Sequence, residues 1–240
     1  MYCYRFVSYV RDHDTLYPGI PFLVQAIVAT EQATYPVKAA AGPNLARAVK
    51  SLFRVARGDS LDGRIHAYNI LRALFRDNRL GEAVGPFVEE GIVMAIKGFK
   101  SAKWAVRDIG ESPTQTSIEA SCCLLQERNS STLLFSALVT RVFGVKRDRD
   151  NEFSSRNGTL TARAFFQKYP GLFEVIGGEL RAAADAIEAS RGAMSPLEAS
   201  LYPILILLAK LQPSPVSSGI DEYQVSSIIV KQADFWMKHS

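Results

Sequence analysis

His66, Asn69, Arg72, Arg76 and Arg79 recur at three- and four-residue spacing. On a helix that spacing gathers them on one face. A face with three guanidinium groups suits phosphate oxygens, which arginine holds in a planar fork. Further on, Lys97, Lys100, Lys103 and Arg107 surround Trp104. An indole set among cations can stack on a nucleobase, or it can sit in the core like any large aromatic. Arg141, Lys146, Arg147 and Arg149 make a third cluster. Aligned by stacked helices, the three clusters would form one basic ridge along which a phosphate backbone could lie. The competing arrangement pairs the arginines with nearby acids such as Asp77, Glu82 and Glu89.

No constellation for bond-making chemistry accompanies this ridge. The three histidines, His13, His66 and His239, are dispersed, and none stands in a metal-ligand pattern. His66, on a helix, reads as a surface or packing residue rather than a general base. No glycine-rich phosphate loop, dinucleotide fingerprint or nucleophile elbow occurs. Cys3, Cys122 and Cys123 cannot build a disulfide framework, and two adjacent cysteines lack zinc-site spacing. Asn129 and Asn157 stand in glycosylation sequons, but nothing suggests secretion, and Asn129 is expected to be packed in a helix. A reducing, cytoplasmic setting is the simple expectation.

Charge is uneven along the 240 residues. The whole chain carries 28 Lys and Arg against 24 Asp and Glu, a net charge of +4. Residues 45–149 hold 17 basic and 11 acidic side chains, net +6, whereas 150–240 are net −2. A basic middle attracts polyanions or an acidic protein through long-range, salt-sensitive forces. The longest strongly apolar stretch, Leu201–Ala209, is nine residues, far short of the roughly 20 needed to cross a bilayer; no membrane insertion is expected.

The elements that must position these residues read as helices. Pro21–Glu31 opens with a proline suited to a first turn. In Pro43–Gly58, Asn44 is placed to cap the start, and Leu45, Val49, Leu52, Phe53 and Ala56 form the apolar side. Arg64–Arg79 is a third helix, buried through Ile65, Tyr68, Leu71, Leu74 and Phe75. Pro86 can start a fourth. Residues 129–143 are apolar nearly all round, save a narrow stripe of Asn129, Thr132, Ser136 and Thr140. Such a helix belongs between two layers, where small side chains allow close approach. Residues 147–160 read as a polar loop. A short helix ends at Pro170, and the next is open to a kink at Gly177-Gly178. Ser195–Glu198 is a capping box before a further helix, and a last helix starts near Asp221. Alternating strands with hairpin turns are absent. The expected fold is all-α, an α-solenoid of HEAT- or armadillo-like stacked antiparallel helices, forming one segment (1–240) of a longer array.

Several stretches carry a family resemblance: Gly19–Ile27 (GIPFLVQAI), His66–Glu82 (HAYNILRALFRDNRLGE), Lys97–Arg107 (KGFKSAKWAVR), Arg128–Arg147 (RNSSTLLFSALVTRVFGVKR), Ala162–Phe173 (ARAFFQKYPGLF) and Leu201–Pro215 (LYPILILLAKLQPSP). Together they resemble the conserved central domain of the THADA family. The resemblance implies a large helical scaffold that is the non-catalytic partner of an FtsJ-type tRNA methyltransferase. That enzyme modifies the ribose of anticodon-loop nucleotide 32. The scaffold itself would need no cofactor, S-adenosylmethionine being bound by the partner enzyme. Family members are far longer. In them W-A-V-R runs directly into N-S-S-T-L-L-F, so Asp108–Arg128 is read as an irregular insertion expected to break a helix or loop out.

The resulting expectation is a regulatory scaffold, not an enzyme, with tRNA and the methyltransferase as partners. Arg72, Arg76, Arg79, Lys100, Lys103, Trp104, Arg107, Arg141, Lys146 and Arg147 are the candidate contacts with either. The alternative is a helical protein–protein scaffold with no nucleic-acid role, whose mark would be an exposed apolar groove.

Overall fold

The structure, a computed structural model, describes residues 19–34, 40–101, 115–144, 160–189 and 198–212. Its helices are α1 (Ile20–Thr34), α2 (Pro43–Ala56), α3 (Leu61–Arg76), α4 (Val88–Ser101), α5 (Gln115–Phe143), α6 (Ala162–Lys168), α7 (Pro170–Ala189) and α8 (Glu198–Ala209). A 3-10 turn, Gly81–Phe87, leads into α4. No strand occurs among the described residues; an isolated bridge joins Thr161 to Gln212. The fold is all-α, as the periodicity requires. The chain divides into two compact units, residues 1–142 and 143–240, where the sequence suggests one segment. The division falls at the end of α5. There Gly144 adopts φ +76°, a left-handed conformation that glycine takes without strain and that stops a helix.

In the first unit α3 packs against both α1 and α2. Every apolar position read from the sequence of α2 and α3 is buried: Leu45, Val49, Leu52, Phe53 and Ala56 on one, Ile65, Tyr68, Leu71, Leu74 and Phe75 on the other. Each large side chain so removed from water contributes about 1.5–3 kcal/mol.

The start of α2 differs from the sequence reading. Asn44 does not cap it. The N-cap is Gly42, which has no side chain to offer. The Glu31 carboxylate, from α1, accepts from the backbone N–H groups of Asn44 and Leu45, each at 3.1 Å. A negative group at the positive end of a helix is favourable, and here it also satisfies two orphan donors. Glycine at 42 leaves the room: a Cβ there would lie 2.9 Å from that carboxylate. Beside it the buried Gln32 accepts from the Gly42 N–H at 3.1 Å and donates to the Ala40 carbonyl at 3.0 Å. The next helix caps locally. The Ser60 hydroxyl accepts from the Gly63 N–H at 3.2 Å, and α3 then runs to Arg76. Arg79 therefore lies beyond the helix, not on its face.

α4 and α5 approach closely. A Cβ on Gly91 would stand 3.1 Å from Leu138, and one on Gly98 would stand 2.6 Å from Ser131. Numbers rise along one helix as they fall along the other, so the two run antiparallel, matched at seven-residue steps. The close approach expected of residues 129–143 thus rests on glycines of the neighbouring helix as much as on small residues of α5. The polar stripe Asn129, Thr132, Ser136 and Thr140 is exposed. Asn129 is helical but not packed. The largest difference is length. α5 has 29 residues, so the stretch 108–128, read as an irregular insertion, is helical from Gln115 onward. Buried Glu127 ties that part to α3 through Arg64, whose Nε donates to the carboxylate at 2.7 Å. Residues 108–114 lie outside the described residues, as does the polar loop at 147–160 apart from Leu160.

In the second unit the Thr161 hydroxyl caps α6 by accepting from the Ala164 N–H at 3.3 Å. Phe165, fully buried, meets the rings of Phe143, Phe166 and Tyr169. α7 packs against α6 and α8 and is one helix through Gly177 and Gly178. The chain leaving α8 returns to the start of α6: Gln212 N–H donates to the Leu160 carbonyl at 3.1 Å, and Ala162 N–H donates to the Gln212 carbonyl at 3.0 Å. Pro203 is buried inside α8. The capping box before Glu198 and the helix expected near Asp221 lie outside the described residues.

Candidate nucleic-acid interface

The α3 face proposed from spacing is only partly a surface. His66, at its upstream end, is 3% exposed; burial pulls its pKa below the ordinary histidine value, against the opposing pull of Asp62. That is the packing role the sequence reading preferred over catalysis. Asn69 and Arg72 are half-buried, and Arg76, in the last turn, is exposed. Among the described residues neither Arg72 nor Arg76 has an ion pair or side-chain hydrogen bond. Both remain available to an external anion.

Arg79 and Arg141 are committed elsewhere. Asp77, 6% exposed, ends α3. Its carboxylate accepts from Arg79 Nη2 at 2.7 Å and Nε at 3.1 Å, from the Arg79 backbone N–H at 2.8 Å, and from Gln25 Nε2 of α1 at 2.8 Å. Burial alone would raise the Asp77 pKa. The bonds from Arg79 and Gln25 outweigh it and hold the carboxyl below its usual range. Arg141, from α5, donates from Nε to the Phe75 carbonyl at 2.9 Å and from Nη2 to the Asp77 carbonyl at 2.7 Å. It satisfies the Phe75 carbonyl at the end of α3 and adds a donor to the Asp77 carbonyl, which also accepts from the Leu80 N–H at 3.3 Å. The internal pairing weighed for the arginines is realised at Arg79. Both residues therefore build the corner that joins α1, α3 and α5, instead of a ridge. Arg79 is 62% exposed and Arg141 is half-buried.

Of the remaining candidates, Lys97 is exposed on α4. Lys100 belongs to α4, but its side chain lies outside the described residues, as do Lys103, Trp104, Arg107, Lys146 and Arg147. Among the described residues no three His, Cys, Asp or Glu side chains gather as a metal site would require, and no helix is long and apolar enough to cross a membrane.

One basic surface escaped the sequence reading. α2 has Arg47, Lys50 and Arg54 on its outer side, all exposed, and no acid between Pro43 and Ala56. Their spacing of three and four was available in the sequence. The longer arginine series of α3 is the stronger of the two signals.

Two family models match the chain. One, described as THADA/TRM732, DUF2428, covers residues 18–105; the other, Trm732, C-terminal TPR repeats, covers 128–233. The junction between them contains most of the segment read as an insertion. The repeat type named there is TPR, where the sequence suggests HEAT or armadillo. All three are stacked helical hairpins, so the class stands and the label changes. Curated relatives named tRNA (32-2'-O)-methyltransferase regulator THADA include those of Gallus gallus, 38% identical over 82% of this chain, and Canis lupus familiaris, 38% over 88%. That of Chlorocebus aethiops is 39% identical over 82%. The chain spans 9–10% of the length of these relatives. No solved structure matches it.

Proposed function

The chain belongs to the THADA/TRM732 family, and on that premise we propose that it acts as a non-catalytic segment of a tRNA 2′-O-methyltransferase regulator. In this reading a separate FtsJ-type enzyme binds S-adenosylmethionine and methylates the ribose of anticodon-loop nucleotide 32. The helical scaffold offers cationic surface that holds the tRNA in place. The observation carrying the reading is that the function in the relatives' names meets, in this chain, exposed or half-exposed arginines whose side chains have no internal partners among the described residues. Arg72 and Arg76 are the residues of α3 that fit this role. Lys100, Lys103, Trp104, Arg107, Lys146 and Arg147 join them on sequence position. Arg79 and Arg141 serve the corner at Asp77.

The mechanism is electrostatic positioning. Each phosphate neutralised releases condensed counterions, so each contact adds about 0.7–0.9 to the log–log slope of binding against salt. Titrating a tRNA transcript with the chain at several KCl concentrations tests this. Arg72→Glu plus Arg76→Glu should weaken binding and flatten the slope by roughly 1.5–2 units. Unchanged affinity and slope would remove the α3 face from the function.

A second reading, a protein–protein scaffold, is favoured by one observation: Phe22 and Leu23 stand exposed side by side on α1, at 71% and 48%. Under it the chain does not bind tRNA, and Phe22→Ser plus Leu23→Ser should abolish co-purification with the methyltransferase. Retained co-purification would dismiss it.

A further inference from the structure

α2 is divided more sharply than any other described helix. Leu45, Ala48, Val49, Leu52, Phe53 and Ala56 are buried, whereas Arg47, Lys50 and Arg54 are exposed. The three cations stand at i, i+3 and i+7, along about 10 Å of helix axis. Nothing within the helix balances them: it has no acidic residue, and among the described residues none of the three side chains has an ion pair or hydrogen bond. Lys50 and Arg54 form a like-charge i, i+4 pair, which works against the helix, although Arg54, in the last turn, is favoured by the helix dipole. An ordinary solvated face interleaves acids with bases, as the Arg57–Glu90 ion pair does just past this helix.

We infer that Arg47, Lys50 and Arg54 form a second phosphate-binding face, on α2, for the RNA that Arg72 and Arg76 of α3 are proposed to meet. The inference rests on the proposed function for the identity of the polyanion and adds a site to it. The occupant is the sugar–phosphate backbone. Three point charges on a rigid rod carry no base-reading geometry, so the face contributes affinity and register rather than sequence preference. Two of the three are arginines, whose forks take phosphate oxygens in pairs. α2 packs directly on α3, so the two sets of cations belong to one packed helix pair.

The test uses the full 240-residue chain and an unmodified tRNA transcript, with fluorescence anisotropy measured across a KCl series. Arg47→Gln, Lys50→Gln and Arg54→Gln together should lower affinity at least tenfold at low salt and flatten the log–log slope by about 2–3 units. Because all three side chains are exposed and glutamine is a good helix former, the circular dichroism spectrum should not change and the unfolding midpoint should not fall. The charge-conserving variant, Arg47→Lys with Arg54→Lys, should keep the slope. A control, Lys97→Gln, should change the slope by less than one unit. If the triple variant binds as wild type while Arg72→Glu plus Arg76→Glu does not, the α2 site is refuted and the proposed function stands. If the wild-type chain itself fails to bind tRNA, both fall. If the triple variant keeps its tRNA slope but loses co-purification with the methyltransferase, the face contacts protein, and the RNA assignment is overturned.

Discussion

Arg141 donates from Nε to the carbonyl of Phe75 at 2.9 Å, so a side chain of α5 closes the end of α3, 66 positions earlier in the chain. The same guanidinium reaches the Asp77 carbonyl, while the Asp77 side chain holds Arg79 and Gln25. A basic residue that looked like surface is the keystone of a helix terminus.

Replacing Arg141 by methionine keeps the stem and removes both donors. The expected loss is about 2–3 kcal/mol, because hydrogen bonds to a charged group and an orphaned Phe75 carbonyl are at the costly end of the range. In urea the midpoint should fall with little change in m-value. Arg141→Lys should recover only part, since an ammonium lacks the fork that spans two carbonyls. A midpoint equal to wild type would mean that the corner does not need the bond.

The pair Arg64–Glu127 gives a second prediction. Glu127 is 1% exposed, and its partner at 2.7 Å is partly exposed. Removing one member of a buried pair leaves a desolvated charge, so Arg64→Met should cost about 3 kcal/mol. Adding Glu127→Met should return part of that loss, as measured by a double-mutant cycle in thermal unfolding. Strict additivity of the two single losses would show that the residues are not coupled. The same surroundings, burial first and the Glu127 charge second, push the Tyr68 hydroxyl up to about 12.

Stability should depend on pH in two separate windows. The folded-state pKa of His66 is lowered by burial, so the unfolded chain binds the proton more readily. Its contribution is present above the ordinary value of 6.5 and is lost as pH falls below it. His66→Gln should flatten the change in unfolding free energy between about pH 7 and 5. Asp77, also depressed, acts lower: its contribution is present above its ordinary value of 3.8 and disappears as pH drops through the folded value. Asp77→Asn should flatten only that acid limb. Identical pH profiles for wild type and both variants would contradict the assignment.

Gly98→Ala should destabilise by about 1–3 kcal/mol, although alanine is the better helix former by about 1 kcal/mol. The new methyl would lie 2.6 Å from the Ser131 Cβ, and two helix backbones would have to part. Gly85→Ala, where nothing lies within 4 Å, is the comparison and should be near neutral in a urea titration. Equal behaviour of the two variants would rule out tight packing at Ser131.

The sequence makes the helices and their buried faces legible because periodicity is local: Leu45 to Ala56 and Ile65 to Phe75 follow from spacing alone. What it hides is contributed across the fold. Glu31 caps a helix it does not belong to, and Arg141 finishes another. Asn44, a good capping residue by type, is displaced by a carboxylate that only tertiary packing delivers. The helical placement of Arg72 and Arg76 follows from spacing. The diversion of Arg79 to Asp77 was foreseeable only as an alternative, since two residues of separation allow it without requiring it. The stretch 115–128 departs from the family pattern without departing from helix, a distinction that the pattern alone does not carry.

The carboxylate of Glu31 has one more implication. It fixes where α2 begins, yet it is anchored in α1. A longer connector between the two helices would leave that starting point in place. Slipping α1 by one residue would instead swing the carboxylate about 100° around its own axis and strand the amides of Asn44 and Leu45. Register is thus inherited from one helix to the next, and a single-residue deletion inside α1 is propagated downstream, whereas one in the connector is absorbed.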